Sequence, residues 1–112
     1  QRLNHVELQA TLAQTQALRH TPAGIPALNM QLAFEGEAVE MGQVKTVKFN
    51  LSAVAFGMNA EQLQKAPIGQ MLRIKGFLDA ARNGRSVVLH ITEFEILNIE
   101  KLKDEHHGLC KT

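Results

Sequence analysis

Histidine, serine and cysteine are the residues here that could act as bases, nucleophiles or metal ligands, and their spacing assembles no catalytic site. The five histidines form no His-Glu-x-x-His pattern, and neither serine lies in a Gly-x-Ser-x-Gly turn. His106, His107 and the single Cys110 fall in a polar C-terminal segment without a scaffold to fix their geometry. His90 alternates with apolar neighbours, as a surface or hydrogen-bonded histidine on a strand would. We therefore expect no enzyme, no cofactor and no metal site.

Basic residues are concentrated in the middle of the 112-residue chain. Residues 1–40 carry two basic against four acidic residues, residues 41–90 carry seven against two, and residues 91–112 carry three against five. The net charge of +1 therefore conceals a central segment of +5 between two ends of −2 each. Such a segment is typical of a polyanion site, although solvated strand faces give the same count.

Alternation of apolar and polar residues with period 2 predicts five strands. A short helix is expected between the third and fourth strands, with Asn59 as N-cap, Gln62 completing a capping box and Pro67 ending it. The predicted strands run from His5 towards Leu18, from Leu28 to Phe34, from Thr46 to Leu51, from Met71 to Leu78 and from Val87 to Leu97.

Glycine-containing segments define two connections between these strands. Gly36 and Gly42 bracket an acidic connection between the second and third strands. Asn83-Gly84 separates the fourth and fifth strands and predicts a two-residue hairpin with a type I′ turn.

Five short strands with one helix between the third and fourth form the all-β arrangement of an OB-fold barrel. An open α+β sandwich built from the same elements is the alternative. The length favours one domain, which we place at residues 1–100, followed by a polar tail at residues 101–112. There is no apolar run near 18 residues and no signal-peptide pattern, and a lone cysteine fits a reducing compartment. We therefore expect a cytoplasmic protein that does not enter a membrane.

The fourth strand separates core residues from candidate binding residues. Ile74 and its apolar neighbours at period 2 are assigned to the core, which places Arg73, Lys75 and Phe77 on the opposite face. An exposed aromatic ring beside cations can stack on unpaired bases. Alternatively, Phe77 turns inward at a barrel corner near Gly76.

Further basic residues lie on the third strand, near the two hairpins and before the first proline-containing loop. They either track a phosphate backbone or only keep the protein soluble. Five phenylalanines without tryptophan or tyrosine indicate that phosphate contacts supply most of the affinity. The candidate nucleic-acid-binding residues are Arg19, Lys45, Lys48, Arg73, Lys75, Phe77, Arg82 and Arg85.

Several short motifs, spread over residues 4–97, carry a family resemblance. They are Gly24-Ile25-Pro26 after a long first strand, Ile68-Gly69-Gln70 leading into the fourth strand, and Asn83-Gly84 followed by Val88-Leu89-His90. Together they resemble the primosomal replication protein N family, a branch of the bacterial single-stranded DNA-binding proteins. The resemblance implies an OB-fold homodimer, joined largely through the first strands, that binds single-stranded DNA. It also implies contacts with the restart helicase and with a helicase-loading protein.

The sequence departs from the family pattern at aromatic positions. Lys48 stands where the best-known members have a tryptophan, and Gln43 stands where they have an aromatic residue. Basic positions of the family are kept at Arg19 and Arg82, with Arg85 nearby. The resemblance therefore implies the same partners with fewer stacked bases and more electrostatic attraction.

We expect a non-enzymatic, homodimeric OB-fold protein that binds single-stranded DNA and bridges it to the restart helicase and the helicase-loading protein. The alternative is an OB-fold protein-interaction module whose DNA binding has no physiological importance. Partner binding that saturating oligonucleotide leaves undisturbed would favour this alternative. A cold-shock-like RNA-binding role ranks third, because the chain lacks aromatic-rich strands.

Overall fold

Strands account for most of residues 2–97, the part of the chain that the computed structural model describes. The predicted tail at residues 101–112, with His106, His107 and Cys110, lies outside the described residues. In chain order, the elements are β1 (Val6–Thr15), β2 (Arg19–His20), β3 (Pro26–Glu40), β4 (Gln43–Phe56), α1 (Met58–Gln64), β5 (Met71–Ala80) and β6 (Val87–Ile96).

Strand pairing closes the sheet into a barrel. The order is β1-β5-β6-β4-β3, and β1 also pairs with β3 from Thr11 to Thr15. Strands β4 and β6 are parallel at Ala53 and Leu89, whereas the other neighbours are antiparallel. The OB-fold prediction is therefore confirmed, with α1 before β5, and the open sandwich is wrong. The two-residue β2, which the alternation did not predict, pairs with the start of β3.

The core lies inside the barrel and under α1. Inward-facing residues alternate along the strands, because successive side chains of a strand point to opposite faces. Ile74, assigned to the core from the sequence, is completely buried, and Leu63 of α1 adds to the same core. The largest fully buried side chains are Leu12, Leu28, Leu32, Leu63, Leu72, Ile74 and Leu89.

Strands β3 and β4 form a hairpin that extends beyond the barrel. Their register continues without a break from Ala27 opposite Phe56 to Glu40 opposite Gln43. The predicted connection from Gly36 to Gly42 is therefore wrong, because residues up to Glu40 are strand. Only Met41 and Gly42 turn, and both have positive φ, as a type I′ turn requires. Pairing of β3 with β1 ends at Ala33, so we call residues 34–49 the hairpin arm.

The connection between β5 and β6 is a wider loop than expected. Gly84 has positive φ whereas Asn83 does not, which excludes the predicted type I′ turn. The Asn83 side-chain oxygen instead accepts hydrogen bonds from the backbone N–H groups of Arg85 at 2.8 Å and Ser86 at 3.3 Å. In a two-residue turn these N–H groups would bond across the paired strands. Because they bond to the Asn83 side chain instead, the strand pairing stops earlier and the loop spans residues 81–86.

Helix α1 begins two residues earlier than the sequence indicated. Its N-cap is Gly57, which has φ of 67° and makes no side-chain capping bond. Asn59, the predicted cap, instead donates a hydrogen bond from Nδ2 to the carbonyl oxygen of Thr92 at 3.1 Å. The helix ends at Gln64, before Pro67, as predicted.

Candidate nucleic-acid interface

Three aromatic rings from three strands stack on the outer surface of the barrel. The His90 ring lies against Phe77, with centroids 4.9 Å apart, and against Phe56, with centroids 6.0 Å apart. Phe77 and Phe56 remain 38% and 40% exposed. Aromatic rings that are exposed and held in place can stack on unpaired bases. We call Phe56, His90 and Phe77 the ring stack.

A bulge beside Gly76 positions the ring stack. Lys75 lies opposite Glu93, but Gly76 lies opposite Ile91, so the register of β5 and β6 shifts by one residue. A Cβ atom at position 76 would collide with the backbone carbonyl of His90. The next residue, Phe77, pairs with His90. Phe77 consequently faces outward, and the inward orientation considered from the sequence does not occur.

Arg82 and Arg85 lie in the exposed loop that follows the strand of Phe77. Among residues 2–97, no carboxylate lies within 4 Å of either guanidinium; the contacts of this kind are those of the Lys45 ammonium with Glu40 and of the His90 ring with Asp79. Their positive charge is therefore not neutralised by a contact within the described fold. Exposed cations that contact no carboxylate suit a phosphate backbone.

Arg73 and Lys75 lie on the same outer face of β5 as Phe77, on the other side of the bulge, with carboxylates on the neighbouring strands. Arg73 pairs across the strands with Glu95 and Gln9, and Lys75 pairs with Glu93 and Glu7. Three acids thus flank two bases. Lys75 is also half-buried, and about 17 Å of strand separates it from the end of β5, where the loop with Arg82 begins.

The remaining candidates lie on β2 and on the hairpin arm. Arg19 donates from Nε to the Asn29 side-chain oxygen at 3.0 Å. Lys48 lies opposite Glu35, and the Lys45 ammonium is 3.7 Å from a Glu40 carboxylate oxygen. The eight candidates therefore lie in several small groups. Four of them have a carboxylate beside them or on the neighbouring strand: Lys45, Lys48, Arg73 and Lys75.

Polar residues without charge, which the sequence analysis missed, line a depression of about 160 Å³ on the same outer face of β4 as Phe56. The depression lies where the end of β1 meets the outer faces of β3 and β4. Polar residues alternating with the core residues Leu28, Met30 and Leu32 were the available signal. We call it the carboxamide depression, and its polar side chains are Gln14, Gln16, Asn29, Gln31 and Ser52.

A closed OB-fold barrel with exposed rings and unpaired arginines on one outer face defines a class of small nucleic-acid-binding domains. Sequence comparison identifies the family within this class: the model of a single-strand binding protein family matches residues 4–93. The chain belongs to that family, in the branch of the replication restart protein PriB, which confirms the resemblance to the primosomal family.

Individual proteins show the same relationship. The replication restart protein PriB of Bordetella pertussis is 41% identical over 92 residues, which cover 81% of this chain and 86% of that protein. The structure of PriB from Ralstonia solanacearum is 34% identical with a TM-score of 0.79, covering 87% of this chain and 100% of that chain. The single-stranded DNA-binding protein from Thermus aquaticus is 26% identical with a TM-score of 0.69, covering 86% and 50%. None of the three bears the name of an enzyme.

Membrane insertion through a helix finds no support in the described part of the chain. The one helix there, α1, has seven residues, and no helix is long and apolar enough to cross a bilayer.

Proposed function

We propose that this protein binds single-stranded DNA on the face that carries the ring stack. The observation that carries the proposal is the stack itself, which presents two partly exposed phenyl rings, one of them on the strand that leads into the arginine-containing loop at residues 81–86. Bases stack on the rings, and Arg82 and Arg85 contact phosphates. Arg19 extends the path along the same outer surface. The other four candidates contribute less, because carboxylates lie opposite or beside them: Lys45, Lys48, Arg73 and Lys75.

The biological role follows from the relatives, which are named replication restart proteins. In this role the protein acts in the cytoplasm, holds the unpaired strand and bridges it to the restart helicase and the helicase-loading protein. The tip of the hairpin arm supports a protein contact, since Val39, Met41 and Val44 are 72%, 97% and 68% exposed. Exposed apolar residues that cluster mark interaction sites.

A homodimer is part of the same proposal. Strand β1 pairs with β5 from Val6 to Thr11, whereas its pairing with β3 begins only at Thr11. One edge of Val6–Ala10 therefore has no partner strand among the described residues. Two copies of this edge can pair antiparallel around a two-fold axis, which satisfies their backbone groups. Light scattering at micromolar concentration should give twice the monomer mass, and a mass near 12 kDa would contradict the dimer.

Replacing one ring of the stack tests the DNA-binding proposal. Phe77→Ala should weaken binding to a dT oligonucleotide by about 1–3 kcal/mol through lost stacking, with the salt dependence unchanged. Phe49→Ala is the matched control, because Phe49 is 39% exposed but lies on the hairpin arm, stacked on Phe34. Fluorescence anisotropy measures both. Equal affinities of the two variants would argue against the ring stack as the binding site.

The second candidate is a protein-interaction module with unimportant DNA binding, and the exposed tip of the hairpin arm favours it. A Met41→Ser/Val44→Ser variant should then lose partner binding while partner binding of the wild type persists under saturating oligonucleotide. Wild-type DNA affinity that is undetectable at physiological salt would also support this candidate over the first.

A further inference from the structure

The carboxamide depression has a fixed pattern of hydrogen-bonding groups. The Arg19 guanidinium can only donate, so its contact with Asn29 Oδ1 leaves the Asn29 amino group, Nδ2, as a donor. Gln31 donates from Nε2 to the Ser52 hydroxyl oxygen at 2.8 Å, which leaves the Gln31 carbonyl oxygen as an acceptor. In this arrangement a donor and an acceptor are in place before any ligand arrives; the guanidinium fixes the Asn29 amide, whereas the Ser52 hydroxyl, which can also donate, holds the Gln31 amide less strictly.

These groups face the same side of the sheet. Asn29 and Gln31 are two residues apart on β3, about 7 Å along the strand, and both are half-buried. Residue 31 lies opposite Ser52, and Phe56 follows four residues later on the same outer face of β4, about 14 Å away. A single strand that crosses the ring stack can therefore continue over the depression.

We propose that the carboxamide depression holds an unpaired nucleobase with an exocyclic amine, cytosine or adenine, in preference to thymine. This inference rests on the proposed binding of single-stranded DNA. The amine donates to the Gln31 carbonyl oxygen, and the ring nitrogen beside it accepts from the Asn29 amino group. Thymine carries a carbonyl oxygen in place of the amine, so two acceptors would face each other without a proton between them.

The neutral lining supports a base over a phosphate as the occupant. The polar side chains that line the depression carry no charge, and Arg19 lies at its rim, on Asn29. An anion would be held by charge-assisted bonds, whereas uncharged carboxamides pair with the edges of bases. The phosphates therefore follow Arg19 while a base enters the depression.

Two pyrimidine homopolymers test the proposal with the full chain. Labelled dC and dT oligonucleotides of equal length carry equal numbers of phosphates, so the ratio of their Kd values measures the contribution of the bases alone. Gln31→Leu should reduce the preference for dC over dT by about fivefold, with the salt slope unchanged. Gln31→Glu keeps an acceptor oxygen and should keep the preference while it weakens binding to both. Gln64→Leu, on the exposed surface of α1, is the matched control and should change neither quantity.

The outcomes separate this proposal from the one on which it rests. Wild-type binding to both oligonucleotides, with a dC-to-dT ratio that Gln31→Leu leaves within twofold, overturns the nucleobase site and leaves single-stranded DNA binding intact. Failure of the wild type to bind either oligonucleotide overturns both. Thermal melting of each variant shows whether the fold is retained. If Gln31→Leu melts early, Gln31→Met, which keeps the length of the side chain without a carbonyl oxygen, should show the same loss of preference, and an unchanged dC-to-dT ratio in it overturns the nucleobase site.

Discussion

Two outer regions of the same barrel carry positive side chains in different surroundings. On the sheet of β1, β5 and β6, Arg73 and Lys75 stand among Glu7, Glu93 and Glu95. At the far end of β5, Arg82 and Arg85 lie in the exposed loop that follows the strand of Phe77, with no carboxylate within 4 Å in the described part of the chain. Within that part, the single acid near the rings is Asp79, 4.0 Å from His90. A polyanion responds to the local sum of charges, so only the second region offers a net attraction.

This difference shows why the count of basic residues along a chain is a poor guide to a binding face. Both regions belong to the central segment of +5. Cross-strand pairing, which brings residues from distant parts of the chain together, places three carboxylates opposite Arg73 and Lys75, although none forms an ion pair with them within 4 Å. Among residues 2–97, the loop of Arg82 and Arg85 has no such acidic partners across the strands.

The comparison depends on the register of β5, and a core substitution tests that register with the largest expected effect. Ile74→Ala should lower the free energy of unfolding by about 2–5 kcal/mol, because it removes buried methyl groups and leaves a cavity. Lys75→Ala, one residue along, should change it by less than about 0.5 kcal/mol. Urea denaturation measures both. A larger loss for Lys75→Ala would mean that the two faces of β5 are exchanged.

The bulge that separates the two regions provides the second test. Gly76→Ala should cost about 1–3 kcal/mol of stability, because the new methyl group meets the rigid His90 carbonyl. It should also weaken oligonucleotide binding, since Phe77 and His90 adjoin the displaced backbone. Gly36→Ala is the control, because its methyl group meets only the end of the flexible Phe34 side chain. Equal effects of the two alanines would show that the bulge does not position the ring stack.

Salt dependence compares the cations of the two regions, with a smaller expected effect. Each phosphate contact on a single strand contributes about −0.7 to the slope of log affinity against log salt. Arg82→Ala/Arg85→Ala should therefore flatten the slope by about 1.4. Arg73→Ala/Lys75→Ala should leave it nearly unchanged. If the second double variant flattened the slope more, the acidic neighbours would not neutralise Arg73 and Lys75.

The barrel could be predicted from the sequence because alternation locates five strands, and a helix between the third and fourth of them is the arrangement of an OB-fold. The predictions of the turns were wrong, because residue types alone did not show which residues turn or how a side chain bonds within a loop. Asn83 accepts loop hydrogen bonds with its side chain, while Met41, which gives no turn signal, adopts positive φ. Gly36 resembled a turn residue, but it is a strand residue over which the Phe34 ring lies.

The candidate site was predictable only in part. Phe77 was found from the alternation of β5, because that signal is local. Phe56 and His90 were not, since the stack depends on a bulge and on a parallel pairing between β4 and β6. The acidic surroundings of Arg73 and Lys75 likewise depend on pairing with β1 and β6, which no property of the central segment reveals.

Mapping a bound oligonucleotide by NMR tests the central claim most directly. A titration of the ¹⁵N-labelled protein with a dT oligonucleotide compares the two regions in one experiment. Amide shifts should be largest at Phe56, Phe77 and His90 and in the loop at residues 81–86, with small shifts at Arg73 and Lys75. Shifts concentrated at Arg73, Lys75, Glu93 and Glu95, with little change at the ring stack, would contradict it.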